Sequence, residues 1–285
     1  MASGERQPAD GLRNAGPDPK RFTVADGQLL NIASAAFPFL IRAGTGGFAS
    51  GYSTGLKEDD GTYGVVKVSG RSVAESSKVS TFKRPAKPLE LYEFQGCPFC
   101  RKVREAISVL DLDAAVFPCP QGGPTWRPKA VELGGKAQFP YLVDPNTGAS
   151  MYESDAIIAY LFKEYGDGAV PLALRLGPLT TLTCGLALAP RVGKGSRYTP
   201  SNLPAKPLVL WGYELSPFVV VVKEVLSELE LPYLQVTTSR GSPKRQLLFE
   251  KRGTFQVPYL EDENEGVYLF ESSAIIDYLY KNYKK

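Results

Sequence analysis

Apolar residues recur with helical spacing in two stretches of the chain. The spacing i, i+3, i+4, i+7 marks one face of a helix. In the first stretch this spacing is formed by Val103, Ala106, Ile107 and Leu110. In the second it is formed by Val222, Val225, Leu226 and Leu229. A β-rich run precedes each helix (Leu89–Phe94 and Leu208–Trp211), and a second strand follows it (Ala114–Phe117 and Tyr233–Val236). After these come a short helix, two strands around a turn and a last apolar-faced helix. The order β-α-β-α-β-β-α is therefore predicted twice, as an α/β fold with helices packed on a mixed sheet.

The two stretches are copies of one another. The matched positions are Cys97 and Ser216, Pro140 and Pro258, and Glu153 and Glu271. The first pair is 119 residues apart and the other two are 118 apart, so a single deletion between the first and second blocks accounts for the difference. Residues 88–166 are called copy one below, and residues 207–285 copy two. Copy one carries a dithiol, CPFC, where copy two reads SPFV.

The rest of the chain is an N-terminal extension, 1–87, and a bridge, 167–206. Residues 1–20 are polar and rich in Gly, Pro and charge, which predicts disorder. Residues 52–88 are rich in Gly, Ser and charge and predict an irregular connector. The apolar run 29–41 predicts one helix between them.

Two apolar segments, 29–41 and 169–190, bear on membrane contact. The first is too short to cross a bilayer. The second approaches the necessary length, but its prolines, its glycines and Arg175 argue against a span. We expect both segments to pack against the copies and join them. Peripheral membrane association through either segment is the alternative.

Composition narrows the chemistry. The chain has no histidine, which excludes Ser-His and Cys-His nucleophile pairs and histidine-ligated metals. The net charge of +3 is too small to imply a nucleic-acid partner. Four cysteines in 285 residues do not make a secreted disulfide framework. A Cys-x-x-Cys pair beside βαβ patterning instead favours redox chemistry in a reducing compartment.

Cys97 is the candidate nucleophile. It is expected at a strand-to-helix turn, where backbone N–H groups and the helix dipole favour the thiolate and lower the thiol pKa. Arg101, Lys102 and Arg104 are expected to add favourable charge in the first turns. Cys100, one turn into the helix, is the candidate resolving thiol.

Two other interpretations of the CPFC pair remain open. The cysteines could be an inert structural pair, or half of a zinc site. Without histidine, only Cys119 and Cys184 could complete the sulfur ligands of such a site. We favour thiol chemistry and expect no metal.

These residues carry a resemblance to a known family. A strand, CPFC, a helix, a proline 43 residues after Cys97 and Glu-Ser opening the last helix look like the thioredoxin fold of glutaredoxins and of glutathione transferase N-terminal domains. Copy two resembles the serine-type transferase version. From about residue 20 onward the chain resembles a plant and algal chloroplast family of tandem proteins of this type. That closer match is carried by YEFQGCPFCRKVRE, QFPYLVDPNTG, MYESDAIIAYL, GSPKRQ and FQVPYLED. The resemblance implies a chloroplast location, although no clear transit peptide is visible.

The resemblance also implies a glutathione site in each copy. The prolines would follow cis peptide bonds, and the preceding residue would bind the cysteinyl part of glutathione. Glu and Ser at the start of the last helix would hold its γ-glutamyl group, as a helix N-terminus can. The implied residues are Phe139, Pro140, Glu153 and Ser154 in copy one, and Ser216, Val257, Pro258, Glu271 and Ser272 in copy two. A simple helix cap is the other interpretation of each Glu-Ser pair.

The expected function is that of a glutathione-dependent thiol–disulfide oxidoreductase. Cys97 would attack a glutathionylated or disulfide-containing substrate, with glutathione as co-substrate, and copy two would be degenerate. One alternative is a non-catalytic glutathione-binding or plastid assembly protein. Another is an atypical glutathione transferase, although no long all-helical domain follows either copy, which makes general conjugating activity doubtful.

Overall fold

The computed structural model describes residues 10–20 and 23–285. Before copy one it has β1 (Arg13–Asn14), α1 (Leu29–Ile41), β2 (Ser53–Glu58), β3 (Lys67–Val68) and β4 (Arg71–Ser76). Strands β2, β4 and β3 form an antiparallel ribbon, so the connector predicted to be irregular contains ordered structure. The prediction of disorder is wrong for residues 10–20, because β1 pairs with a strand of copy two. Pairing of this kind satisfies backbone groups in a polar segment and cannot be read from its composition. Residues 1–9 lie outside the described part.

Both copies have the predicted order of elements. Copy one contains β5 (Leu89–Glu93), α2 (Pro98–Val109), β6 (Ala114–Pro118), α3 (Trp126–Gly134), β7 (Tyr141–Asp144), β8 (Ala149–Met151) and α4 (Ser154–Tyr165). The bridge contains α5 (Leu172–Arg175) and α6 (Pro178–Leu188). Copy two contains β9 (Leu208–Gly212), α7 (Pro217–Glu228), β10 (Tyr233–Thr237), α8 (Lys244–Arg252), β11 (Tyr259–Asp262), β12 (Val267–Phe270) and α9 (Ser272–Tyr283). The α/β fold class is confirmed.

The two copies share one continuous sheet. Within residues 10–20 and 23–285, nine strands lie in the order β1-β12-β11-β9-β10-β6-β5-β7-β8. The copies meet where β6 and β10 pair antiparallel, and Ala115 there lies opposite Leu234, its own counterpart in the repeat. A pseudo-two-fold axis therefore passes through this pair. The apolar cores of the copies merge across the junction into one cluster, which gives two small units a larger common core.

The repeat extends to the helix before each copy, which the sequence analysis missed. The sequence RAGTG at 42–46 matches RVGKG at 191–195 with an offset of 149. Helix α1 packs on α7, and α6 packs on α2. Helices α1 and α6 also contact each other. Arg42 binds Glu105 on α2 (2.8 Å), and Arg191 binds the matching Glu224 on α7. The apolar segments thus join the copies as predicted. No helix of the described chain has the length and apolar character needed to cross a membrane.

Candidate functional site

Cys97 lies at the N-terminus of α2, as predicted. Its backbone is extended (φ −94°, ψ 122°), and Pro98 follows as the first helical residue, where its fixed φ favours helix initiation. The backbone N–H of Cys100 donates a hydrogen bond to the Cys97 sulfur (3.3 Å). Hydrogen bonding by the Cys100 thiol, by that N–H and then the charge of Arg104 lower the pKa of Cys97, against the effects of burial and of Glu93.

Both thiols are buried, but the pKa of Cys100 is displaced in the opposite direction. Its side chain is fully buried, and burial raises the pKa of its thiol well above the usual value. Hydrogen bonding to Cys97 raises it further, since that contact favours the protonated form of Cys100. Both cysteines are free thiols. The pair therefore consists of one thiol whose pKa is lowered and one whose pKa is raised.

The three basic residues of α2 do not act on Cys97 as a group, which corrects the sequence-based expectation. All three are buried, and each is bound to carboxylates. Arg101 binds Glu105 (3.1 Å), and Lys102 binds Asp155 (2.6 Å). Among them, Arg104 lowers the pKa of Cys97 through its positive charge. The first turns of α2 bring these cations near Cys97, but Arg101 and Lys102 bind the carboxylates of Glu105 and Asp155.

Glu214 of copy two completes the environment of Arg104. The carboxylate of Glu214 accepts from Arg104 Nε (2.9 Å), and Arg104 also binds Glu93. Lys223, which is the copy-two counterpart of Arg104, binds the same oxygen of Glu214 (2.9 Å). Burial alone would raise the pKa of Glu214, but Arg104, Lys223 and Arg101 hold it at about 2. One copy thus supplies a buried charge to the site of the other.

The implied glutathione residues of copy one lie together at the same end of the sheet. The Phe139–Pro140 peptide bond is cis, as predicted. Glu153 precedes α4 with a positive φ of 65°, and its carboxylate accepts from Gln138 Nε2 (2.6 Å). Ser154 begins α4 and is buried. The backbone of Phe139 and the Gln138–Glu153 pair therefore offer polar groups to one ligand.

A cation stacks on the residue before the cis proline. The guanidinium of Arg127 lies 4.6 Å from the centre of the Phe139 ring and 5.9 Å from that of Phe94. Its nitrogens donate to the carbonyls of Cys119 and Pro120. Arg127 thus brings a positive charge to the Phe139 side of the site.

Copy two has the same framework around Ser216. Ser216 precedes α7 as Cys97 precedes α2, and the Val257–Pro258 bond is cis, as predicted. Glu271 has the same positive φ as its counterpart (65°) and accepts from Gln256 Nε2 (2.8 Å). Ser272 begins α9. A cavity of about 210 Å³ opens beside Ser216.

The N-terminal segment occupies part of this framework. The backbone N–H of Lys20 donates to the Glu271 carboxylate (2.8 Å), and the Lys20 carbonyl accepts from Gln256 Nε2 (2.9 Å). The resemblance assigns Glu271 to the γ-glutamyl part of glutathione. In copy two, Glu271 and Gln256 instead bind the protein's own backbone.

The β-ribbon adds a second insertion at copy two. Glu75 on β4 is buried and binds Arg240 and Arg245 (3.4 Å from Arg245 Nε), both of which line the Ser216 cavity. Tyr52 and Tyr63 also donate to Glu75. Arg245 is the counterpart of Arg127 by an offset of 118. The same arginine is therefore neutralised in copy two.

Several of these residues were missed by the sequence analysis. Gln138 and Gln256 stand immediately before the residue that precedes each proline, at the same offset of 118, and that repeat could have revealed them. Glu214 matches Gln95 of copy one, and nothing in the sequence places it near Arg104. As for metals, within residues 10–20 and 23–285 no three side chains of the ligating types are grouped to hold an ion.

Both copies match a known family model in sequence. The profile described as glutathione S-transferase, N-terminal domain, matches residues 91–169 and 210–285, more than half of the chain. The glutathione S-transferase-like protein OpS6 of Beauveria bassiana is 31% identical over 80 residues, covering 28% of this chain and 37% of that protein. Two structures of the Bombyx mori glutathione transferase BmGSTD1, one in complex with GTT, are 29% identical, with a TM-score of 0.27. The match covers 30% of this chain and 38% or 39% of those chains.

The chain thus spans less than two fifths of the length of these relatives. The profile, in contrast, covers most of both copies, including Cys97 and Ser216. This chain belongs to the family of glutathione S-transferase N-terminal domains, which it carries twice.

Proposed function

We propose that copy one is a glutathione-dependent thiol–disulfide oxidoreductase with Cys97 as its nucleophile. The observation that carries the proposal is the position of Cys97 at the N-terminus of α2, where the backbone N–H of Cys100 donates to its sulfur (3.3 Å). The pKa of Cys97 is lowered at this position, whereas burial raises the pKa of Cys100. A thiolate is the nucleophile in disulfide exchange, so this asymmetry selects the attacking sulfur.

The reaction would proceed by two exchanges. The Cys97 thiolate attacks the glutathione sulfur of a protein–glutathione disulfide, forming a Cys97–glutathione disulfide and releasing the protein thiolate. A free glutathione thiolate then attacks the glutathione sulfur of that disulfide, releasing oxidised glutathione and regenerating the Cys97 thiolate. Overall, one mixed disulfide and one glutathione thiol are converted to one protein thiol and one molecule of oxidised glutathione. Cys100 would offer an intramolecular route by displacing glutathione from Cys97.

Glutathione would lie between Cys97 and α4. The backbone of Phe139, before Pro140, would bind its cysteinyl part. Glu153 would take its ammonium group, and the free N–H groups at Ser154 would take its α-carboxylate. The Gln138–Glu153 hydrogen bond supports this assignment, because it fixes the carboxylate at the helix start.

Copy two would serve a structural and positioning role in this reaction. It has no sulfur at 216 or 219, and the Gln256–Glu271 pair is engaged by Lys20. Glu214, however, contributes to the charge network behind Cys97.

The test is turnover of the mixed disulfide of cysteine and glutathione by purified protein. Formation of oxidised glutathione is followed by coupling to glutathione reductase and NADPH. We expect catalysis above the uncatalysed exchange. A rate equal to that of the reaction without protein would refute the proposal.

A further inference from the structure

Helices α1 and α6 each bury one side and expose apolar residues on the other. On α1, Ile32 and Ala35 are buried in a cluster with residues of α7. On α6, which packs on α2, Thr180 and Cys184 are buried. More than half of the large apolar side chains that are exposed in residues 10–20 and 23–285 lie on or next to the outer sides of these two helices. We call this set the apolar face; its members are Leu29, Leu30, Phe39, Leu40, Leu172, Leu176, Leu179, Leu182, Leu186 and Val192.

The two helices present the apolar face on one side of the molecule. Helices α1 and α6 contact each other and cover α7 and α2. They are also counterparts in the repeat, so the pseudo-two-fold axis between β6 and β10 relates them. An axis perpendicular to the sheet keeps the outward direction, and the outer sides of both helices therefore point away from the sheet together. An exposed apolar surface of this extent marks a site of contact with a partner or a membrane.

The charges around the apolar face are basic. Helices α1 and α6 contain no charged residue. The stretches 27–57 and 168–213, which include these helices, contain seven basic residues and no acidic one, although the chain has 30 acids. Asp26 and Asp167 immediately precede the two stretches. Arg175 and Lys194, on either side of α6, are both exposed. The surroundings of the face thus favour an anionic partner.

We propose that the apolar face docks on an anionic lipid surface. The leucines would enter the boundary between headgroups and acyl chains, where burial of apolar area drives binding. Arg175 and Lys194 would meet lipid phosphates, which attract basic residues near a membrane surface. This proposal does not depend on the proposed oxidoreductase function.

A second copy of the chain fits this face less well. A two-fold contact places the same surface on both partners. Arg175 and Lys194 would then approach the basic stretches of the other copy, in which 27–57 and 168–213 offer no acid to pair with them. Charge complementarity therefore favours lipid over self-association.

The experiment is co-sedimentation of the purified protein with lipid vesicles. One set of vesicles is phosphatidylcholine alone, and the other contains about one quarter phosphatidylglycerol, which supplies the anionic charge. We expect the protein to sediment with the anionic vesicles, and less with the neutral ones. Raising the salt concentration should weaken binding to the anionic vesicles, because it screens the basic residues.

Two leucines give a matched pair for the apolar contribution. Leu182 on α6 and Leu247 on α8 have similar exposed fractions, 59% and 53%. Helix α8 lies on the other side of the sheet, since its Leu248 packs on Tyr259 while the next strand residue, Leu260, lies in the common core. Leu182→Asp should lower the affinity for anionic vesicles about tenfold, as expected for withdrawing one leucine from the lipid. Leu247→Asp should leave it unchanged.

Two cations give a matched pair for the charge contribution. Arg175→Gln should lower the affinity for anionic vesicles about fivefold, and should not change binding to neutral vesicles. Lys129 is exposed on α3, the counterpart of α8 on the far side of the sheet. Lys129→Gln should therefore bind both kinds of vesicle as the native protein does.

Each outcome decides the proposal. Failure of the native protein to sediment with anionic vesicles would overturn it, and so would equal losses in Leu182→Asp and Leu247→Asp. Circular dichroism shows whether the variants are folded, and Leu30→Asp on α1 replaces Leu182→Asp if that variant is not. Sedimentation velocity without lipid should show a monomer. A dimer that Leu182→Asp dissociates would assign the face to a second copy and overturn the lipid proposal.

Discussion

Copy one and copy two share a backbone frame and differ in what fills it. Both have a cis proline, a Gln–Glu pair and a helix that starts after the residue at 97 or 216. Copy one places a thiol of lowered pKa there and leaves its Gln–Glu pair to a ligand. Copy two places a hydroxyl there and engages its pair with Lys20. The comparison shows that one copy keeps a pair of free thiols in this frame, while the other uses the same frame to bind its own chain.

The largest effect is expected at the nucleophile. Cys97→Ser should reduce turnover of the cysteine–glutathione disulfide to the uncatalysed rate, because a serine hydroxyl stays protonated and cannot exchange disulfides. Cys100→Ser should retain a large part of the activity, since glutathione itself can complete the second exchange. Coupled glutathione reductase assays measure both. Full activity in the Cys97 variant would refute the mechanism.

Removing the shared charge at the junction should have the next largest effect. Glu214→Gln introduces the residue that copy one has at the matching position, Gln95. Leaving Arg104 and Lys223 with one anion fewer should cost about 3–5 kcal/mol of unfolding free energy, measured with urea. The pKa of Cys97 should also fall, because Arg104 would be less neutralised.

An exposed acid supplies the control for that variant. Glu263 binds Lys206 (3.1 Å) with 54% of its side chain exposed. Glu263→Gln should change the unfolding free energy by no more than about 0.5 kcal/mol. Equal losses in the two variants would contradict the importance of the buried network.

The glutathione pocket gives a matched pair across the copies. Glu153→Ala should raise KM for glutathione about 10- to 100-fold, as expected for losing a charge-assisted hydrogen bond. Glu271→Ala should leave that KM unchanged, because its carboxylate holds Lys20 instead. Steady-state kinetics with varied glutathione decide this. Equal increases in both variants would show that copy two binds glutathione for turnover.

Much of this arrangement could be predicted from the sequence, but some of the contacts around copy two could not. The order of elements and the places of Cys97 and Ser216 follow from local patterns and from the repeat. Two further features of copy two depend on contacts between residues far apart in the chain. Lys20 meets Glu271 and Glu75 meets Arg240, and no periodicity predicts which polar segment covers which site. The same is true of Glu214, whose position is set by the antiparallel junction of β6 and β10.

A smaller effect is expected in the pH dependence of stability. Burial raises the pKa of Asp111 to about 6, against the attraction of Lys244. The folded state therefore binds this proton more tightly than the unfolded state, whose carboxyl has a pKa of about 3.9. Its contribution to stability is fully present below about pH 4 and is lost as pH rises through about 6. Asp111→Asn should flatten the urea midpoint between pH 4 and 7 relative to the unchanged protein, and parallel profiles would contradict the assignment.

The smallest effect is expected at Ser216. Ser216→Ala should leave turnover within experimental error, because copy two does not take part in the exchange. Circular dichroism verifies that the variant is folded. A large loss of activity in a folded variant would reverse the assignment of roles to the two copies.

The measurement that tests the central claim most directly is the pH dependence of alkylation at each cysteine, read by mass spectrometry of the native protein. The rate at Cys97 should rise with a midpoint below the value of about 8.5 for a free thiol, while Cys100 stays unmodified over the same range. A Cys97 midpoint at or above the free value, or equal reactivity of the two cysteines, would contradict the proposed division between an attacking and a resolving thiol.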